Sequence, residues 1–202
     1  MQKRAEALHD TRNRIVWATM QLHGEKGIFG TTLTDIAARA GVGPATVYRH
    51  FQTMGSLIRA CGDLTWIAVS PPKLDEADRL YAGLDTARAR LHRYVEEVSE
   101  FYGRAWGPLE SARRDRSRIP ELDEDLRWIE AGLEGLIRKA LAPEHTDEHW
   151  VQLVRALTDF GVWKSLRNHG LTQAEAPKII SAVLECAELH ISRAARRSRR
   201  SP

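Results

Sequence analysis

Two cysteines among 202 residues, Cys61 and Cys186, lie too far apart to form a metal or redox motif. Each sits in a segment with apolar periodicity, so both are expected as buried, reduced thiols. No apolar run approaches the roughly eighteen uncharged residues that a membrane span needs. The opening MQKRAEALHDTRNR also lacks the apolar stretch of a secretory signal, so a cytoplasmic location is expected. Strand signals are missing as well: β-branched residues do not alternate with polar ones, and no Asn-Gly or Asp-Gly hairpin turn occurs. The chain has no G-x-x-x-x-G-K-[ST] phosphate loop and no G-x-S-x-G nucleophile elbow, and Gly41-x-Gly43 lacks the third glycine and the strand of a dinucleotide site. These absences predict an all-helical chain with no enzymatic activity and no cofactor.

The formal charge of +3 conceals a division along the chain. Residues 1–65 carry eight Lys and Arg against five acids, residues 66–192 carry seventeen against twenty-two, and the tail from Arg193 carries five Arg and no acid. Polyanion binding is therefore expected at the ends of the chain rather than in its middle.

Helical spacing fills the sequence. Leu80, Leu84, Ala87, Leu91, Tyr94, Val98 and Phe101 form one apolar stripe and predict one long helix. Leu122, Leu126, Ile129, Leu133 and Leu136 predict another, Trp150, Leu153, Val154, Leu157 and Phe160 a third, and Ile179 to Ile191 a last one. Pro71-Pro72 divides a head from a body, Pro120 opens a helix, Ala142-Pro143 closes it, and Thr172 with Glu175 forms a capping box.

Function is concentrated in Thr31 to Phe51, TTLTDIAARAGVGPATVYRHF. Thr32 followed by Asp35 starts a helix, Ile36, Ala37 and Ala40 face inward, and Gly41 allows a sharp turn. Pro44 suits the first turn of a second helix, whose Val47 and Phe51 pack back on the first. Two short helices joined by a glycine turn are a helix-turn-helix, whose second helix fits the major groove. Ala45, Thr46 and Arg49, with Tyr48 and His50 at the margin, then point outward and suit base edges and phosphates.

The order T-x-x-x-I-A-x-x-A-G-V-x-x-x-T-V-Y-x-x-F, preceded by an amphipathic helix with Ile15, Ala18 and Leu22, resembles the signature of TetR-family regulators over residues 11–60. The resemblance implies a head at 1–53, a linking helix at 54–70, a helical regulatory and dimerisation domain at 71–195, and about nine helices in all. Residues 196–202 are expected as a disordered basic tail. It further implies a homodimer that binds a near-palindromic double-stranded DNA operator as a repressor, released by a small-molecule effector. DNA contacts are then expected from Thr32, Pro44, Ala45, Thr46, Tyr48, Arg49 and His50. Gly43 and Met54 depart from the pattern, which often has a serine cap and a basic residue at these places.

Trp66, Tyr94, Phe101, Trp106, Trp128 and Trp150 are candidate pocket aromatics for an apolar or aromatic ligand. Phe160, Trp163, Leu166, Ile180, Val183 and Leu184 are candidates for a dimer interface. Arg113, Arg114, Arg116 and Arg118 read as a solvated face. Two other functions are weighed: an architectural DNA-binding protein without an effector, and a zinc-dependent hydrolase using His145, Glu148 and His149, which spell H-x-x-E-H. Against the second, Thr146 and Asp147 read as ordinary helix-capping residues, and no further ligand is indicated, so no metal is expected.

Overall fold

The computed structural model describes residues 2–144 and 147–198, with side chains placed over 8–144 and 147–189. Among the described residues there are ten α-helices and no strand: α1 Gln2–Lys26, α2 Leu33–Ala40, α3 Pro44–His50, α4 Met54–Val69, α5 Ala77–Leu80, α6 Ala87–Asp115, α7 Pro120–Leu141, α8 Glu148–Leu157, α9 Phe160–Asn168 and α10 Ala176–Ser198. A 3₁₀ turn, Leu74–Glu76, precedes α5. The all-α reading of the sequence is thus the observed architecture.

Two helix boundaries differ from the periodic pattern. The stripe from Leu80 to Phe101 is interrupted: α5 stops at Leu80, the chain turns at Gly83 with φ 74°, and α6 begins at Ala87, where Thr86 Oγ1 accepts the Ala89 N–H at 3.2 Å. Leu80, Leu84 and Ala87 keep a helical spacing in sequence across this turn, which periodicity cannot distinguish from one helix. The segment from Trp150 to Phe160 is likewise two helices. Thr158 ends α8 through its N–H on Val154 O, and Asp159 caps α9 by accepting the Gly161 N–H at 2.7 Å. At the carboxyl end α10 continues through residues 196–198, three residues into the segment expected as a disordered tail, and 199–202 lie outside the described residues.

The chain divides into two compact units, residues 1–71 with 105–128 and residues 72–104 with 129–202, so that α6 and α7 contribute to both. In the first unit Ile15, Leu22, Ile36, Val47, Phe51 and Leu57 make a continuous buried core. Each such side chain removed from water contributes roughly 1.5–3 kcal/mol. In the second, Tyr94 and Phe101 of α6, Leu136 and Leu141 of α7, Val154 of α8, Trp163 of α9 and Leu184 of α10 are enclosed. Tyr102 stands with its ring centroid 5.4 Å from Phe160 and 5.7 Å from Trp163, and Phe160 stacks on Trp163 at 5.9 Å. The Tyr102 hydroxyl donates to Thr158 O at 3.0 Å, so that ring fills the core with its polar end satisfied.

Candidate nucleic-acid interface

Local rules place the two helices of the motif. Thr32 Oγ1 accepts the Asp35 N–H at 3.2 Å, and Asp35 Oδ2 accepts the Thr32 N–H at 3.1 Å, a reciprocal cap for α2. Lys26 Nζ lies 2.6 Å from the same carboxylate, and this contact with the Thr32 bonds holds Asp35 down at about 2. Gly41 ends α2 in the left-handed region at φ 65°, where a side chain would strain the backbone, and Val42 N–H bonds Ala37 O at 3.0 Å. Arg14 of α1 donates to Ala40 O at 3.0 Å, satisfying a further terminal carbonyl.

In α3 the N-cap position belongs to Gly43, which offers no side-chain cap, so the departure from serine leaves the first turn to Pro44 and to backbone bonds from Thr46 and Val47 onto Gly43 O. Val47 is wholly buried and Phe51 nearly so. Those two anchors fix the rotation of the helix. Pro44, Ala45, Tyr48 and Arg49 are exposed in consequence, and Thr46 and His50 are half-buried. Tyr48 keeps 54% of its surface in solvent, a large exposure for an aromatic ring with no intramolecular need for it. His50 has its Nε2 enclosed without a partner, and burial followed by the charges of Arg49 and Arg12 pushes its pKa down, so the ring is neutral at pH 7. Met54, the second departure, packs on the head core from the first turn of α4. α4 itself starts with a reciprocal cap between Thr53 and Ser56.

Some contributors escaped the sequence reading. Arg12 of α1 lies with its guanidinium carbon 4.6 Å from the Phe51 ring centroid and is exposed beside His50, adding a cation at the end of α3. The arginine cluster at the end of α6 is no simple solvated face. Its interrupting acid, Asp115, is buried and accepts the Phe29 N–H at 3.2 Å; Arg118 lies 4.8 Å from the Phe29 ring, and Arg116 pairs with Asp123 at 2.8 Å. The loop before α2 is therefore pinned by the end of α6. The first turns of α7 grip α4 in the same way, through Glu124 on Arg59 at 2.8 Å and Asp125 on the Trp66 Nε1–H at 2.9 Å. Sequence spacing carries no signal for such long-range pairs.

The remaining candidates fall in several places. Trp66 lines a cavity in the first unit, Tyr94, Phe101 and Trp150 are buried in the second, Trp106 is half-buried, and Trp128 is 56% exposed. Among the six interface candidates, Phe160, Trp163, Ile180 and Leu184 are enclosed within the subunit, Leu166 is half-buried, and Val183 is exposed alongside Ile179. Cys61 is buried and its thiol pushed up to about 12, whereas Cys186 is exposed, contrary to expectation, because it shares the outer side of α10 with Val183. In the H-x-x-E-H segment His145 lies outside the described residues. Glu148 is engaged by Arg138 at 2.9 Å, and the His149 side chain is almost fully solvated.

A helix-turn-helix whose second helix shows its polar side to solvent, on an otherwise helical chain, defines a class of DNA-binding regulator folds. Residues 15–61 match the family model described as bacterial regulatory proteins, tetR family. No curated protein matches the sequence. Solved structures of similar fold include one from Mesorhizobium loti MAFF303099 described as a TetR-family transcriptional regulator, 16% identical over 89% of this chain and 95% of that one, with a TM-score of 0.61. The multidrug binding protein EbrR complexed with imidazole is 19% identical over 86% and 89%, TM-score 0.59. The regulator FadR from Bacillus subtilis in complex with stearoyl-CoA is 13% identical over 85% and 96%, TM-score 0.57. Residues 15–61 thus match the DNA-binding head of that family, and over the rest of the chain the likeness to these solved structures is one of fold. Among the described residues no helix is long and apolar enough to cross a membrane.

Proposed function

We propose that the protein is a dimeric transcriptional repressor that reads a near-palindromic operator with α3 and releases it when a small molecule occupies its helical body. The observation that carries the reading is the rotation of α3: Val47 is turned fully inside, and Ala45, Tyr48 and Arg49 are left outside on a seven-residue helix. Arg49 has the fork that guanine or a phosphate accepts, Ala45 and Thr46 suit a thymine methyl, and Tyr48 suits a phosphate oxygen, whereas the Thr32 hydroxyl already donates to Asp35 at 2.6 Å. Pro44 and His50 flank this surface at the two ends of the helix. The cation of Arg12 extends it.

A single head buries too little surface for tight, specific binding, and a two-fold pair reads two half-sites one helical turn apart. The outer side of α10, with Ile179 and Val183 exposed and the half-buried Leu166 of α9, is the face we assign to the partner copy. Release by a ligand is supported by the similar folds of EbrR and FadR, which were solved with imidazole and stearoyl-CoA respectively. Ligand and operator need only favour different arrangements of the chain for one to displace the other. Selection of bound DNA from a random pool tests the whole reading. A recovered palindrome is expected; binding that shows no sequence preference, with a steep salt dependence alone, would replace the repressor with an architectural role.

A further inference from the structure

The first unit contains a cavity of about 320 Å³ bounded by α1, α4, the end of α6 and the start of α7. Its wall is mostly apolar, with Met20, Ile28, Ile58 and Leu122 among the lining side chains. Asp125, Trp66 and His23 meet there, beside the hydroxyls of Thr65 and Ser111. Asp125 is the only charged side chain of the lining, and no lysine or arginine joins it. Its Oδ2 accepts the Trp66 Nε1–H at 2.9 Å, leaving Oδ1 to meet a further donor. His23 supplies the third group: its Nε2 is enclosed and has no partner, and burial lowers its pKa to about 4. An orphaned buried nitrogen in a cavity wall costs roughly 1–3 kcal/mol unless something donates to it or accepts from it.

The glycines of the wall add an independent observation. Gly24 lies within α1, where glycine is about 1 kcal/mol worse than alanine, and a Cβ there would meet nothing within 4 Å. Packing does not require that glycine, and its effect is to widen the space beside His23. Gly62 of α4 has a different reason: a Cβ would stand 2.7 Å from Asp125 Oδ2, so glycine is what lets the carboxylate reach Trp66 across the cavity.

Resting on the repressor reading, we infer that this cavity is an effector site in the DNA-binding unit itself, and that its ligand is a small apolar molecule bearing a protonated amine or another compact cation. The charge selects the class. One carboxylate in an apolar wall favours a cation, because burial raises the cost of its negative charge and Asp63 and Glu124 add negative potential, against the opposing effects of the Trp66 hydrogen bond and the charge of Arg59. Carboxylates and phosphates would enter beside Asp125 with no lysine or arginine in the lining to receive them. The volume admits a body of about a dozen heavy atoms, at roughly 25–30 Å³ each, and is too small to enclose a long acyl chain. Because α1 and α4 wall the cavity on one side and carry the head core with them, a ligand there acts on the elements that hold α3.

The test uses the full chain and three matched probes: 4-tert-butylbenzylamine, 4-tert-butyltoluene and 4-tert-butylbenzoate. Calorimetry without DNA is expected to rank the amine at least tenfold above the hydrocarbon, with no binding of the benzoate. Asp125→Asn, which keeps an oxygen for Trp66, should erase the preference for the amine and spare the hydrocarbon. Gly24→Leu and Ser111→Leu, which fill the cavity from two sides, should abolish binding of both while thermal unfolding confirms a folded chain. Equal or better binding of the benzoate, or amine binding that survives both filled variants, would overturn the site. Operator release is read separately by fluorescence anisotropy: an amine that binds with these signatures and leaves operator affinity unchanged would keep the site and refute the ligand-released repressor.

Discussion

Two helices of this chain, α3 and α10, treat their apolar residues in opposite ways. In α3 only Val47 is buried, and the other six residues are small, polar or exposed. Its inner and outer sides are therefore fixed by one side chain together with the turn that precedes it. In α10 apolar residues occupy both sides: Ile180 and Leu184 go into the subunit, and Ile179 and Val183 stay in solvent. The same residue type thus has two destinations one position apart. The difference teaches that periodicity identifies an apolar face, and only the neighbouring elements decide whether that face ends in the subunit or at its surface.

The comparison can be broken most forcibly at Leu184. Leu184→Ala removes a fully enclosed side chain and is expected to destabilise the subunit by about 2–5 kcal/mol, read as a lower thermal midpoint. Its neighbour should behave differently. Val183→Asp puts a charge on the outer side of α10, where it costs the isolated subunit little. At a dimer interface the same buried charge costs on the order of 2–5 kcal/mol. Light scattering should then show a monomer with an unchanged helical spectrum; a variant that unfolds along with Leu184→Ala, or one that stays dimeric, would remove the distinction between the two sides of α10.

A smaller effect sharpens the contrast between a buried group and an exposed one inside the head. His23 is held neutral in the folded protein down to about 4, whereas the unfolded chain takes up a proton near 6.5. Below 6.5 the unfolded state binds more protons, so stability is complete above that pH and falls as the solution is acidified toward 4. The loss between pH 7 and pH 5 is about 2 kcal/mol. Thermal midpoints of His23→Leu should fall less over that interval than those of the parent. An unchanged slope would mean that the imidazole is protonated in place.

How far the sequence could be read follows from the range of the interactions involved. The head was legible because its determinants are local: Thr32 with Asp35 caps α2, Gly41 takes a positive φ, Pro44 opens α3, and Val47 with Phe51 repeats at four. Each acts within a few residues, and the family signature collects them in one stretch. The breaks between α5 and α6 and at Thr158 are hidden because in each case two helices carry one continuous apolar stripe in sequence. Asp115 and Asp125 were illegible for a different reason. Their partners, Phe29 and Trp66, are 86 and 59 residues away, and nothing in an Arg-rich or Glu-rich segment says which acid turns inward. The cavity beside Trp66 follows from the same distant pairing, so an aromatic count could point to Trp66 without distinguishing it from the exposed Trp128.

The gentlest change tests the rotation of α3 itself. Tyr48→Phe deletes one exposed hydroxyl and keeps the ring, so helix, core and subunit contacts should remain as they are. A phosphate bond lost weakens the grip of each head by about 0.5–1.5 kcal/mol, or roughly twofold to tenfold per head, and does so on every DNA sequence alike, because phosphates carry no base identity. Thr46, half-buried one position before Val47, is the side chain we assign to a base edge, and Thr46→Ser removes the methyl that would meet a thymine. That variant should shift base preference at one operator position with little change in binding to random DNA. Anisotropy titrations on the selected operator and on a scrambled duplex separate the two. If Tyr48→Phe altered sequence preference while overall affinity held, α3 would be rotated about its axis from the orientation that Val47 imposes, and the division between phosphate-facing and base-facing side chains would have to be redrawn.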